Sequence, residues 1–172
     1  LTLLMSRILI EANLRSADKI ITDSKFSKGR LKHFFPWLNK KLFVTSPGVD
    51  EKLLSLQKLK TSTPLKKKYF LIISAFYPHK NVAKFIKLWK TLKSSCQLVI
   101  VGKNGLEEKL VIDLIEKDSN ISHLKNISLK QLARFYQHAS GLISPSDYEG
   151  FGFPVYEASA FSLPILAKNK SL

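Results

Sequence analysis

From residue 69 onward, apolar runs of strand length alternate with stretches whose apolar residues recur at helical spacing. Tyr69–Ser74 (YFLIIS) is a continuous apolar run that predicts a buried strand. Val82, Phe85, Ile86, Trp89 and Leu92 then share one helical face, with Phe85 and Trp89 read as helix–sheet core. Gln97–Val101 (QLVIV) predicts a second strand, closed by Gly102. Leu106, Leu110, Leu114 and Ile115 mark a second helix, and Ile121–Leu124 a short third strand. Ser128 with Gln131 three residues on forms a capping box ahead of Leu129, Leu132, Ala133 and Tyr136. Gly141–Ser144 predicts a fourth strand and Pro164–Ala167 a fifth. Between them Pro154 sits where a helix's first turn belongs, with the helix running to about Ala160.

Apolar strands separated by helices predict an α/β, Rossmann-like three-layer domain built on a parallel sheet over residues 48–172. Ligands of such sheets bind outside the carboxyl ends of the strands. The loops to watch are therefore 75–81, 102–105, 125–128 and 145–153. Residues 1–47 stand apart: a helix at Leu3–Ser16, a strand at Lys19–Thr22, a basic helix at Lys25–Phe34, a strand at Lys41–Thr45 and a Pro47-Gly48 hinge. They are expected to form a partial second lobe. Residues 57–68 (QKLKTSTPLKKK) read as a connector. The chain opens at Leu1 inside a predicted helix and stops just past a predicted strand, so it reads as part of a longer protein.

Composition narrows the chemistry. The chain is 172 residues, 45% hydrophobic and 24% charged, which suits a globular domain. The single Cys96 excludes a disulfide framework or a multi-cysteine zinc site and fits a reducing compartment. His33, His123 and His138 have no metal-ligand spacing, and His79 reads as exposed loop, so no metal site is expected. Leu1–Ile10 is the nearest thing to a membrane span, but Arg7 interrupts it well short of the ~18 apolar residues required. Net charge is +15, concentrated in residues 1–68, which hold 15 basic and 5 acidic residues. The stretch Lys25–Lys41 carries Lys25, Lys28, Arg30, Lys32, Lys40 and Lys41 among Phe34, Phe35 and Trp37. Cations interleaved with aromatics suit an anionic membrane surface. Solvated lysines, with the aromatics packed in a lobe, are the other reading.

The most informative stretch is Glu149-Gly150-Phe151-Gly152-Phe153-Pro154-Val155-Tyr156-Glu157, two carboxylates eight positions apart. Gly150 and Gly152 allow close approach of a ligand to the backbone. The helix start that follows offers N–H groups and a partial positive charge suited to phosphate or sugar hydroxyls. A plain glycine turn into a helix would carry the same residues. The segment SPSDYEGFGFPVYEASA resembles the donor-binding signature of the retaining GT-B glycosyltransferases of the glycosyltransferase-4 family. ADKIITDSKFSKGRL, KKLFVTSPGVD, YFLIISAFYPHKN, QLVIVGKNG and SLKQLARFYQHASGLISPS are similar to further family segments, in the same order.

That resemblance implies the carboxyl-terminal, donor-binding half of a GT-B fold, preceded by a fragment of the acceptor lobe. It implies roles as well. Glu149 contacts the donor sugar's hydroxyls, and Lys80 neutralises the donor diphosphate. Gly150, Phe151, Gly152 and Phe153 face the sugar and diphosphate, Glu157 holds the ribose, and Gly102 and Lys103 floor the nucleotide pocket. The donor would be a UDP- or GDP-linked sugar, with no further cofactor. The acceptor would be a glycan or lipid-linked glycan of the bacterial surface, handled in the cytoplasm or at the inner face of its membrane. Two positions depart from the family pattern: Ala75 stands where an arginine is frequent, and Lys125 where a glycine follows the third strand. Nucleic acid is not an expected partner, since recognition motifs are missing. A non-catalytic nucleotide-sugar-binding module stays open, as does a basic nucleic-acid binder. The 172 residues alone are expected to be inactive, because the facing wall of a two-domain cleft is missing from them.

Overall fold

The computed structural model describes residues 2–116 and 118–168. The chain divides into two units, Leu1–Gly48 and Val49–Leu172. The first holds α1 (Thr2–Ser16), β1 (Ile20–Thr22), α2 (Lys25–Phe34), a 3-10 turn at Pro36–Leu38 and β2 (Leu42–Val44). β1 and β2 pair in parallel, Ile20 with Leu42 and Thr22 with Val44. Ser24 caps α2 by accepting from the Ser27 N–H at 3.0 Å, as a serine at that position should. Lys41 closes the unit from the other side. Its Nζ donates to the carbonyls of Arg15 (3.0 Å) and Ala17 (2.6 Å) at the end of α1.

The second unit contains α3 (Glu51–Gln57), β3 (Tyr69–Ile73), a 3-10 turn at Pro78–Lys80, α4 (Val82–Thr91), β4 (Gln97–Val101), α5 (Glu108–Ile115), β5 (Ile121–Leu124), α6 (Leu129–His138), β6 (Gly141–Ser144), α7 (Phe153–Ala160) and β7 (Ile165–Ala167). Its five strands form one parallel sheet in the order β5-β4-β3-β6-β7. The sheet is apolar on both faces because helices cover both. Tyr69, Leu71, Val99, Val101 and Leu142 pack under α3, α6 and α7. Ile72, Leu98, Ile100 and Ile143 pack under α4 and α5 with Val82, Ile86 and Trp89. Each fully buried leucine or isoleucine here contributes roughly 1.5–3 kcal/mol.

The predicted α/β three-layer architecture is therefore present, and three of the five strands match their expected limits. The capping box also forms. Ser128 Oγ accepts from the Gln131 N–H at 3.2 Å, and the Gln131 side chain accepts from the Ser128 N–H at 2.8 Å. Two details differ. Residues 51–56, for which the sequence predicts no element, and Gln57, read as the start of the connector, form α3; Asp50 caps it, accepting from the Lys52 N–H at 2.7 Å, and Leu53 is fully buried. Leu106 is not part of the second helix. It is 85% exposed, in a turn that Gly105 enters with φ +124 and that the Glu107 N–H pins to the Phe76 carbonyl at 2.8 Å. Val111 takes the buried place on α5.

The strand order locates the site. From β3 the chain steps outward to β4 and β5 through α4 and α5 on one face. It then returns through α6 on the other face to β6, on the opposite side of β3. The direction of travel reverses between β3 and β6, and the carboxyl ends of strands at such a switch point splay open into a crevice.

Candidate functional site

At that crevice lies a cavity of about 530 Å³. Ile73, Ser74 and Ala75 at the end of β3 line it, with Val101, Gly102 and Lys103 at the end of β4. Lys80 and the run Glu149–Pro154, entering α7, complete the wall. The volume is in the range of sites that hold a cofactor-sized molecule.

The β3 loop is shaped by its own residues. Pro78 starts the 3-10 turn, and Asn81 takes the left-handed conformation (φ +53) that asparagine tolerates, which opens α4. Asn81 is buried, and its Nδ2 donates to the Pro145 carbonyl at 3.1 Å. The Asp147 N–H donates to the His79 carbonyl at 2.8 Å. The loops after β3 and β6 are thus tied to each other. His79 is not a free loop side chain: its ring stacks on Tyr77 (6.0 Å) and Tyr148 (4.7 Å).

This clamp brings Lys80 to Glu149. Lys80 Nζ and Glu149 Oε2 form an ion pair of 2.5 Å, with side chains only 20% and 15% exposed. Glu149 Oε1 accepts from the Ser146 hydroxyl at 2.6 Å. Beyond Glu149 the chain turns through Gly152, whose φ of +83 suits glycine, into α7 with Pro154 in its first turn. Phe151 is buried by stacking on Tyr156 at 4.2 Å. The positive end of the α7 dipole faces the cavity that Phe153 and Pro154 line.

The β4 side is built by close approach. A Cβ on Gly102 would stand 1.8 Å from the Ser74 carbonyl oxygen, so only glycine fits between the ends of β3 and β4. His123 contacts the Gly102 carbonyl through Nε2 at 2.8 Å and packs edge-on against Phe76.

The structure brings Lys80, Gly102, Lys103, Glu149, Gly150, Phe151, Gly152 and Phe153 to one cavity. Glu157 is not among the residues that line it. It stands one turn further along α7, where its Oε2 accepts from the Tyr136 hydroxyl at 2.6 Å. Burial, and then the Glu157 charge, push the Tyr136 phenol well above the usual tyrosine range. Of the two departures, Ala75 lines the cavity and Lys125 does not; Lys125 pairs with Glu108 at 2.8 Å and holds that carboxyl below its usual range. Sequence reasoning missed Ser146, Asn81 and Tyr136. The first two act from loops, where no periodicity marks them, and the sequence marks Tyr136 only as one of the helically spaced positions after the capping box. Among the described residues, no group of three His, Cys, Asp or Glu could hold a metal ion.

Comparison with known proteins gives the setting. The family model described as Glycosyl transferases group 1 matches residues 56–172. The O-antigen chain mannosyltransferase RfbU of Salmonella typhimurium is 30% identical over 167 residues, 95% of this chain and 45% of that protein. The O-antigen chain mannosyltransferase B of Escherichia coli is 24% identical over 93% of this chain and 45% of its own length. The chain thus spans about half the length of the curated relatives it matches. Among solved structures, Anabaena Alr3699/HepE in complex with UDP and glucose superposes with a TM-score of 0.77 at 18% identity, over 96% of this chain and 48% of that one. Sucrose-phosphate synthase from Thermosynechococcus elongatus gives 0.76 at 22% identity, over 97% and 45%.

Proposed function

The chain belongs to the glycosyl transferases group 1 family, and from that premise we propose that its second unit is the donor-binding half of a retaining GT-B glycosyltransferase. The donor is a nucleotide-diphosphate sugar, UDP- or GDP-linked, and the names of the relatives favour a mannosyl donor and an O-antigen-like surface glycan as acceptor. One observation carries the reading: the cavity at the switch point joins the Lys80 ammonium, the Glu149 carboxylate and the first turn of α7.

Each part has a task. The sugar–phosphate bond breaks with its electron pair leaving on the diphosphate, while the anomeric carbon passes through an oxocarbenium-like state. Lys80 and the α7 dipole stabilise the charge that grows on the leaving oxygens, in place before the reaction begins. Glu149 accepts hydrogen bonds from sugar hydroxyls and fixes the ring. Glu157, oriented by Tyr136, accepts from the ribose diol. The acceptor hydroxyl attacks from the face the diphosphate leaves, and its proton passes to the leaving phosphate, which gives retention. The cleft needs a facing lobe, so these 172 residues alone bind donor without transferring it. The whole protein works in the cytoplasm, with a peripheral contact to the inner membrane face.

Isothermal titration against UDP, GDP and their sugar conjugates tests the reading. Glu157→Ala weakens the nucleotide and its sugar conjugate alike, by about tenfold. Glu149→Ala weakens mainly the sugar conjugate. Equal losses on both ligands in both variants, or no binding by the unaltered chain, would refute the assignment.

A further inference from the structure

We propose that Ser146 is a positioning residue that holds Glu149 for the sugar while Lys80 turns to the diphosphate, an inference that rests on the donor-site reading above. Ser146 is 2% exposed, and its hydroxyl donates to Glu149 Oε1 at 2.6 Å. A serine hydroxyl has one proton, and here it goes to a carboxylate, where hydrogen bonds are short and strong. The other oxygen, Oε2, is paired with Lys80.

The two partners differ in rigidity. Ser146 lies between two tethered residues: the Pro145 carbonyl accepts from Asn81, and the Asp147 N–H donates to the His79 carbonyl. Its hydroxyl is therefore a fixed point. Lys80 reaches Glu149 along a flexible four-carbon stem. A diphosphate in the cavity competes with Glu149 for that ammonium. Once Lys80 turns, a carboxylate held by it alone would follow the cation or swing free. The Ser146 bond keeps Oε1 in place and leaves Oε2 to face the sugar hydroxyls. Phosphate recognition thereby falls to Lys80, at one end of a three-residue chain, and sugar recognition to Glu149, which Ser146 holds from the other end.

The hydroxyl should then matter for the nucleotide sugar and not for the nucleotide. Isothermal titration of the unaltered chain, Ser146→Ala and Ser146→Thr is run with GDP, GDP-mannose, UDP and UDP-glucose. For the pair that binds, Ser146→Ala leaves the nucleoside diphosphate within about twofold and weakens the nucleotide sugar about tenfold. Ser146→Thr keeps the hydroxyl and stays near the unaltered chain on both ligands. Equal loss on both ligands in Ser146→Ala marks a merely structural serine and overturns the proposal, as does no loss on either. A threonine variant as weak as the alanine variant overturns it too. If the unaltered chain binds neither pair, the donor-site reading fails and takes this inference with it. A chain that binds normally while Ser146→Ala is indifferent overturns this inference alone.

Discussion

At Gly102 the site depends on the absence of a side chain. Alanine there would place its Cβ 1.8 Å from the Ser74 oxygen and 3.0 Å from the Ser74 carbon, both backbone atoms just past the end of β3, where the Ser74 N–H donates to the Val101 carbonyl at 3.0 Å. Gly102→Ala should destabilise the second unit by about 3 kcal/mol or more. Gly29, in the interior of α2, is the contrast: nothing lies within 4 Å of its ideal Cβ. Gly29→Ala should stabilise by about 0.5–1 kcal/mol, because alanine loses less backbone freedom in a helix. Chemical denaturation midpoints for the two variants check both signs. The same scale explains what could be read beforehand. Lys80, Glu149 and Gly102 carry charge or conformational freedom at the ends of predicted strands, so a reader finds them. Ser146 and Asn81 are ordinary loop residues until the loops close on each other.

At the element scale, the contact between β3 and α6 makes a pH prediction. Tyr69 is fully buried and its hydroxyl donates to the Phe135 carbonyl at 2.9 Å. Burial pushes its phenol above the usual tyrosine range, with Arg134 opposing. Tyr136, on α6, is raised by burial and by Glu157. For a group whose folded pKa is raised, the stability is fully present below the unfolded value and is lost as pH rises past it. Stability should therefore hold up to about pH 10 and then fall by roughly 1.4 kcal/mol per pH unit for each tyrosine. Urea melts between pH 8 and 11 measure the slope, and Tyr69→Phe should make it shallower. An unchanged slope would mean that Tyr69 ionises in the folded state as easily as in the unfolded one.

The other element with a consequence is α2, which buries none of its residues. Phe34 and Trp37 are 56% and 39% exposed, with Arg30 over the Phe34 ring at 4.8 Å and Arg15 over Trp37 at 4.6 Å. Lys41 drops out of the basic set, because its ammonium caps α1. The remaining Lys25, Lys28, Arg30, Lys32 and Lys40 are the cations that the proposed contact with an anionic bilayer would use, at about 1 kcal/mol for each one near the headgroups. Sedimentation should show binding to vesicles containing anionic lipid, none to neutral ones, and loss in high salt. Equal binding to neutral vesicles, or none at low salt, would remove the membrane from the account.

Over the whole molecule, the sheet was legible because both its faces are covered. Runs such as QLVIV have no polar position after the leading Gln97 to blur them, and the run stops where Gly102 follows. α3 escaped because it is a seven-residue helix next to a polar connector, with one fully buried leucine to mark it. The Leu106 error has the same root. Periodicity carries the eye through a turn that Gly105 imposes by its conformation. The family resemblance puts Glu157 at the donor's ribose, and spacing along α7 says only how far it lies from Glu149. Spacing says nothing of Tyr136, 21 residues earlier, which takes hold of its carboxylate. Long-range hydrogen bonds between loops and between helices are set by the fold as a whole, and no local pattern announces them.

The measurement that bears most directly on the donor site is a crystal structure of the chain soaked with the nucleotide sugar that titration selects. The account predicts the diphosphate between Lys80 and the first turn of α7, the nucleotide beside Gly102, and sugar hydroxyls on Glu149. A ligand seated elsewhere would contradict it. The sharpest such case is the smaller pocket of about 270 Å³ lined by Asn81, Lys84, Asp147 and Lys168, with Lys80 still closed on Glu149.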